Sequence, residues 1–189
     1  MKRVVLASLV LAVSPYALGE SVTLEYQQVK DTRLINGVNV ELKGSGKIVA
    51  FGYPLRDKLD LEVSHGLYDA SFLGLTASGS GTTAVLKYEY PLSDNEHLLL
   101  GAGIDYSKAN MLISGTSIST SDTDGIFIVG LTSNLSEELT IRGSISWQGG
   151  SHTKEVSGSY MITENNAIGL KYADSDDISV TSAFFTHSF

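Results

Sequence analysis

The sequence predicts an all-β chain: a single antiparallel up-and-down β-barrel of ten strands that crosses a membrane. Three observations predict it. Apolar and polar residues alternate with period two from Val22 almost to Phe189, short turns rich in Pro, Asp, Asn and Ser alternate with longer Gly/Ser/Thr connections, and aromatic residues collect where strands end.

The first residues read as an export signal, residues 1–19. Lys2 and Arg3 carry the positive charge, Val4 to Val13 form an apolar core, and Ala17-Leu18-Gly19 supplies the small-x-small cleavage pattern before Glu20. The apolar run is shorter than the roughly 20 residues a spanning helix requires. The barrel domain is therefore expected over residues 20–189. Losing Lys2 and Arg3 takes the formal charge from −8 to −10, which argues against nucleic acid as a partner, because phosphate binding needs clustered Lys and Arg. The chain contains no cysteine, so rigidity must come from something other than disulfides, and closing a sheet on itself supplies it.

Beyond residue 19 the longest apolar runs are Leu98 to Ile104 and Ile126 to Leu131, too short for a spanning helix. A barrel crosses with about 9–11 residues per strand, and only alternate residues face lipid. The mean hydropathy of +0.08 is compatible with that.

Alternation is clear in Val22, Leu24 and Tyr26, in Leu59, Leu61 and Val63, in Ala84, Leu86, Tyr88 and Tyr90, and in Leu139, Ile141, Ile145 and Trp147. Four turns begin at Pro54, Pro91, Ser133 and Thr163. Five other connections fall at about 31–44, 69–81, 108–123, 149–152 and 174–177. Nine connections make ten strands, predicted over 21–29, 45–53, 59–68, 82–90, 97–107, 124–132, 139–148, 153–162, 167–173 and 178–189. Both termini then share one side, expected to be the periplasm if the short turns lie there. Tyr26, Tyr106, Trp147 and Tyr172 at one set of strand ends, with Tyr53, Tyr90, Tyr160 and Phe189 at the other, form the candidate aromatic girdles. Tyr68 has the parity of the inward face.

The less apolar face decides between a membrane and a soluble barrel, since both alternate. A water-facing coat would be rich in Lys and Glu. Here that face is mostly small: Ala50, Gly52, Gly101, Gly103, Gly130, Ser144, Ser146, Ser157, Ser159 and Gly169. Such residues suit a narrow interior. Its charges are Glu25, Asp60, Glu62, Lys87, Glu89, Asp105, Arg142, Glu155 and Lys171, and confined charges are expected to pair, giving a packed polar lumen.

Phe185 and Phe189 lie on one face of the last strand with Thr181, Ala183 and His187. Here the chain resembles the small Gram-negative outer-membrane barrels of the opacity and attachment-invasion type, at the level of pattern over residues 20–189. That resemblance implies an outer-membrane location, Phe185 and Phe189 as the signal read by the barrel assembly machinery, and lipid including lipopolysaccharide as surroundings. His187 departs from the usual aromatic or aliphatic residue, and ten strands exceed the eight typical of those families, so eight is the alternative count.

No catalytic motif is present. Ser64 and His65 are adjacent and so point to opposite faces. His97 sits at a strand start, His152 in the Gly149-Gly150-Ser151-His152 connection, and His187 on the last strand. Zinc-ligand spacing is missing. Asp174, Asp176 and Asp177 could hold calcium weakly but read more simply as a solvated loop. Phe72, Leu73 and Leu75, and Met111, Leu112 and Ile113, are either surface patches for a partner or strand extensions above the membrane, as are Val38, Val40 and Leu42. The expected function is a monomeric, non-enzymatic barrel without cofactor, structural or adhesive through its loops. The alternative is a narrow, porin-like channel weakly selective for cations.

Overall fold

The computed structural model describes residues 20–35, 38–72, 75–113, 116–175 and 178–189, with the backbone alone at 32–35, 38–42, 71, 72, 75, 76, 111 and 113. The expected export signal, the tip residue Leu73, Asp176 and Asp177, and the side chains of Val38, Val40, Leu42, Phe72, Leu75, Met111 and Ile113 lie outside what it describes.

Ten strands form one closed antiparallel barrel in which each pairs with its neighbours in sequence and β1 pairs with β10. They are β1 (Ser21–Ile35), β2 (Val38–Arg56), β3 (Leu59–Phe72), β4 (Leu75–Pro91), β5 (Glu96–Ile113), β6 (Thr116–Asn134), β7 (Leu139–Gln148), β8 (Ser151–Thr163), β9 (Asn166–Ser175) and β10 (Ile178–Ser188). Closure runs from Ser21 opposite Ser188 to Asp31 opposite Ile178. It is tightened at the chain's end, where Phe189 N donates to Glu20 O at 2.9 Å.

The four short turns sit at one end of the barrel, called here the turn end. Hydroxyls hold three of them: Ser93 Oγ accepts from Glu96 N at 3.1 Å, Ser136 Oγ accepts from Leu139 N at 3.1 Å, and Thr163 Oγ1 accepts from Asn166 Nδ2 at 2.6 Å. At the opposite, hairpin end β7 and β8 meet through Gly149 and Gly150, with φ of 56° and 85°. Two positive φ values are what a two-residue hairpin needs to match strand twist, and glycine adopts them without strain.

The connections expected at 31–44, 69–81 and 108–123 are instead largely strand. β1 and β2 remain paired to Ile35 opposite Val38, β3 and β4 to Phe72 opposite Leu75, and β5 and β6 to Ile113 opposite Thr116. Thr, Ser and β-branched residues there satisfy their backbone by continuing the ladder, which a polar composition does not reveal.

Register sets the barrel's width. Paired residues lead from Leu139 through Tyr160, Ile168, Phe185, Leu24, Val49, His65, Thr82 and Tyr106 to Thr123. Extending the β6–β7 register by three residues returns the path to β7 near Ser151, a shear of about twelve residues. Ten strands about 4.8 Å apart with that shear tilt by about 40° and enclose a backbone cylinder of radius about 10 Å.

The outward face is apolar and exposed: Phe127 keeps 63% of its surface and Leu170 67%, in a belt with Leu24, Leu86, Leu100, Ile104, Leu131, Val156 and Ile168. Tyr26, Tyr106, Trp147 and Tyr172 are exposed towards the hairpin end, and Tyr90, Tyr160 and Phe189 towards the turn end, while Tyr53 is half-buried. An apolar band of this extent around a closed sheet is stable only in contact with lipid. No helix among the described residues is long and apolar enough to cross a membrane.

Candidate functional site: the lumen

Inward parity places Glu25, Asp60, Glu62, Lys87, Glu89, Asp105, Arg142, Glu155 and Lys171 on one continuous inner wall, and the register brings most of them into contact. Lys87 Nζ lies 2.7 Å from Glu62 Oε2 on the adjacent strand. Lys171 Nζ on β9 reaches Glu25 on β1 at 2.7 Å and stands 3.9 Å from Glu155. Gln27 donates to the same Glu25 carboxylate at 2.7 Å. Arg142 on β7 reaches furthest, with Nη2 2.8 Å from Glu89 Oε1 on β4 and Nε donating to Thr132 at 3.0 Å. β7 and β4 are three strands apart, so this pair is a strut across the interior rather than a contact along the wall.

Asp60 lies at the turn-end mouth. Asp105 is different from the paired acids. It accepts from Thr83 Oγ1 at 2.6 Å and from Gln148 Nε2 at 3.0 Å, and among the described residues no basic group lies within ion-pair distance of it.

The lumen is less uniformly polar than its sequence implies. Val85, Leu99 and Ile126 face inward and are 4%, 2% and 7% exposed, and Ile48, Ile128 and Phe184 also line the interior. Small residues make room for them. A Cβ at Gly101 would sit 3.1 Å from Ile128 Cβ and 3.3 Å from Val85 Cγ1, and one at Gly169 would collide with the Phe184 ring. One sector of the wall, on β4 to β6, is thus an apolar plug, and the rest carries hydroxyls and ion pairs. The glycines at 101, 103 and 169 were the signal available in the sequence: an inward glycine marks where a large neighbour lies, whereas Gly130 faces only Ser144 and the Gly143 carbonyl.

Tyr68 does face the lumen, as its parity predicts. Its ring covers Gly46 and Gly66, where a Cβ would come within 2.8 Å of Cδ1 and 2.6 Å of the hydroxyl oxygen respectively.

Three cavities follow one another along the axis: about 340 Å³ at the turn-end mouth, 430 Å³ at mid-height and 800 Å³ at the hairpin end. The first two share Glu62, Lys87 and Arg142, and the second and third share Thr83, Gln148, Glu155 and Lys171. The ion pairs are therefore the partitions between them.

The histidines do not converge. His65 faces outward and its Nδ1 is 2.9 Å from Thr82 Oγ1; His187, also outward, bonds Asn166 at 2.9 Å and meets Phe189 edge to face at 4.6 Å. His152 pairs in register with Trp147, and His97 stands at the turn-end rim opposite Thr132. Among the described residues no group of three His, Cys, Asp or Glu side chains is placed to hold a metal ion.

Fold and lumen together define a small outer-membrane-type β-barrel. The chain is similar to the solved structure of Neisserial surface protein A, at 12% identity over 89% of this chain and 96% of that one, with a TM-score of 0.50. It is also similar to the translocator domain of the autotransporter NalP from Neisseria meningitidis, at 11% identity over 100% of this chain and 94% of that one, with a TM-score of 0.55. No protein-family model and no curated protein sequence matches it. The fold is that of the small Gram-negative outer-membrane barrels that the alternation and the last strand resemble.

Proposed function

We propose that this chain is an integral, non-catalytic outer-membrane barrel with both termini in the periplasm, its lumen closed by side chains and its hairpins serving a structural or adhesive role at the cell surface. The observation that carries the reading is the Arg142–Glu89 strut, which spans the interior between the turn-end and mid-height cavities beside the Val85, Leu99 and Ile126 cluster, where a pore would need open water. The paired extensions of β1 to β6 support the surface role, because they rise as ordered ladders beyond the aromatic residues near the hairpin end. Assembly through the strand ending in Phe185 and Phe189, lipopolysaccharide as the lipid partner, and a monomeric state belong to the same proposal.

A second reading is favoured by the three cavities in series: a narrow channel leaning towards cations, gated by the same ion pairs. Planar-bilayer recording of the purified barrel separates the two. The closed reading expects no sustained unitary conductance from the wild type, and steady conductance altered by Glu62→Gln would establish the channel. Shortening the β1–β2, β3–β4 and β5–β6 hairpins is expected to abolish surface adhesion or weaken the envelope; no change in either removes the surface role.

A further inference from the structure

We propose that the hairpin-end half of the lumen is a binding site for a small organic cation, a primary ammonium or polyamine, seated between the Tyr68 ring and the Asp105 carboxylate above Gly81. The inference concerns a ligand rather than passage, and it holds whether or not the turn end is closed.

The cavity there has a volume of about 800 Å³, within the range of small-molecule sites. Asp105 lines it, and among the described residues no base lies within ion-pair distance of that carboxylate. Directly opposite Asp105 in the β5–β6 register stands Asp124, a second inward acid whose carboxylate lies against Gly149 outside the cavity's lining. Such a pair is destabilising unless a cation answers it. Lys171 lines the same cavity but is held by Glu25 at 2.7 Å, and Lys108 at the rim belongs to the outward alternation. The two donors on Asp105, Thr83 and Gln148, are neutral and bring no positive charge to it.

A seat for the cation is built beside that carboxylate. Gly81 lies on β4 between β3, which bears Tyr68, and β5, which bears Asp105. A Cβ at Gly81 would be 3.8 Å from Tyr68 Cε2 and 3.9 Å from Asp105 Oδ1. The missing side chain leaves a gap flanked by an aromatic ring on one side and a carboxylate oxygen on the other. An ammonium lodged there meets the ring within the roughly 6 Å that cation–π attraction requires and also forms a charge-assisted hydrogen bond. Anions, by contrast, meet like charge at every inward acid of this half.

The test is isothermal titration of spermidine into the full barrel refolded in neutral detergent, with unheated gel mobility confirming that each variant is folded. Wild type is expected to bind saturably, Asp105→Asn at least tenfold more weakly, and Tyr68→Leu at least fivefold more weakly. Gly81→Ala places a methyl group at ordinary contact distance, so the barrel folds and no charge changes, yet the seat is filled; it is expected to weaken binding at least fivefold. Asp94→Asn, the same charge change in an exposed turn at the other end, is expected to leave affinity unchanged. Absence of saturable binding to wild type, or affinities within twofold of wild type for Asp105→Asn or for Gly81→Ala, overturns the proposal.

Discussion

The strut between Arg142 and Glu89 makes a quantitative prediction. Its atoms are 2.8 Å apart and each side chain keeps 33% of its surface exposed. At an effective dielectric of about 20, unit charges at that separation attract by roughly 6 kcal/mol. Withdrawing each ion from water costs several kcal/mol, and fully exposed pairs retain less than about 1 kcal/mol. A pair one-third exposed, whose arginine also donates to Thr132 at 3.0 Å, falls between these limits. The coupling energy from a cycle of Glu89→Gln, Arg142→Gln and the double variant is therefore expected to be about 1–2 kcal/mol. Urea unfolding from phospholipid vesicles measures it, with fluorescence from Trp147, the single tryptophan, as the reporter. Single variants should each lose more than the double variant loses per residue, because each leaves a lone charge in the lumen. A coupling below about 0.3 kcal/mol, within the error of additivity, would refute the strut as a stabilising element.

The remaining predictions concern the wall itself. Gly103→Ala would push its Cβ to 2.8 Å from Val85 Cα and against the carbonyl oxygen of Ala84, backbone that cannot step aside; a loss of about 1–3 kcal/mol is expected in the same assay. Gly143→Ala, with nothing within 4 Å of the new atom, is the matched control and should stay within about 0.5 kcal/mol of wild type. Trp147, 45% exposed on the outward face, should be quenched strongly by phospholipids brominated near the headgroup and weakly by iodide in water; the reverse order would remove it from the lipid interface.

Much of this architecture is legible in local chemistry, and particular residues show why. Leu59, Leu61 and Val63 against Asp60, Glu62 and Ser64 declare which face is which, because side chains on a strand alternate whatever the strand is paired with. Proline and serine at the turns declare where strands reverse. The inward parity of Tyr68 was readable for the same reason. The apolar plug was less so: Val85 alternates with residues that face lipid, but Leu99, Ile126 and Ile128 sit within runs where every residue is apolar, so periodicity does not separate the inward from the outward ones.

The sequence by itself pointed to ten strands, to the class of barrel and to the face of each residue wherever apolar and polar residues alternate, since these follow from two-residue periodicity and turn preferences acting over a few residues. Only the tertiary structure decided the shear of about twelve residues, which sets the stagger between strands far apart in the chain. That stagger brings Arg142 to Glu89 across three strands and Lys171 to Glu25 across the closure. It also leaves Asp105 near Tyr68 with no base within ion-pair distance among the described residues. Partnership inside a barrel is a property of registration around the whole cylinder, and no window of sequence contains it.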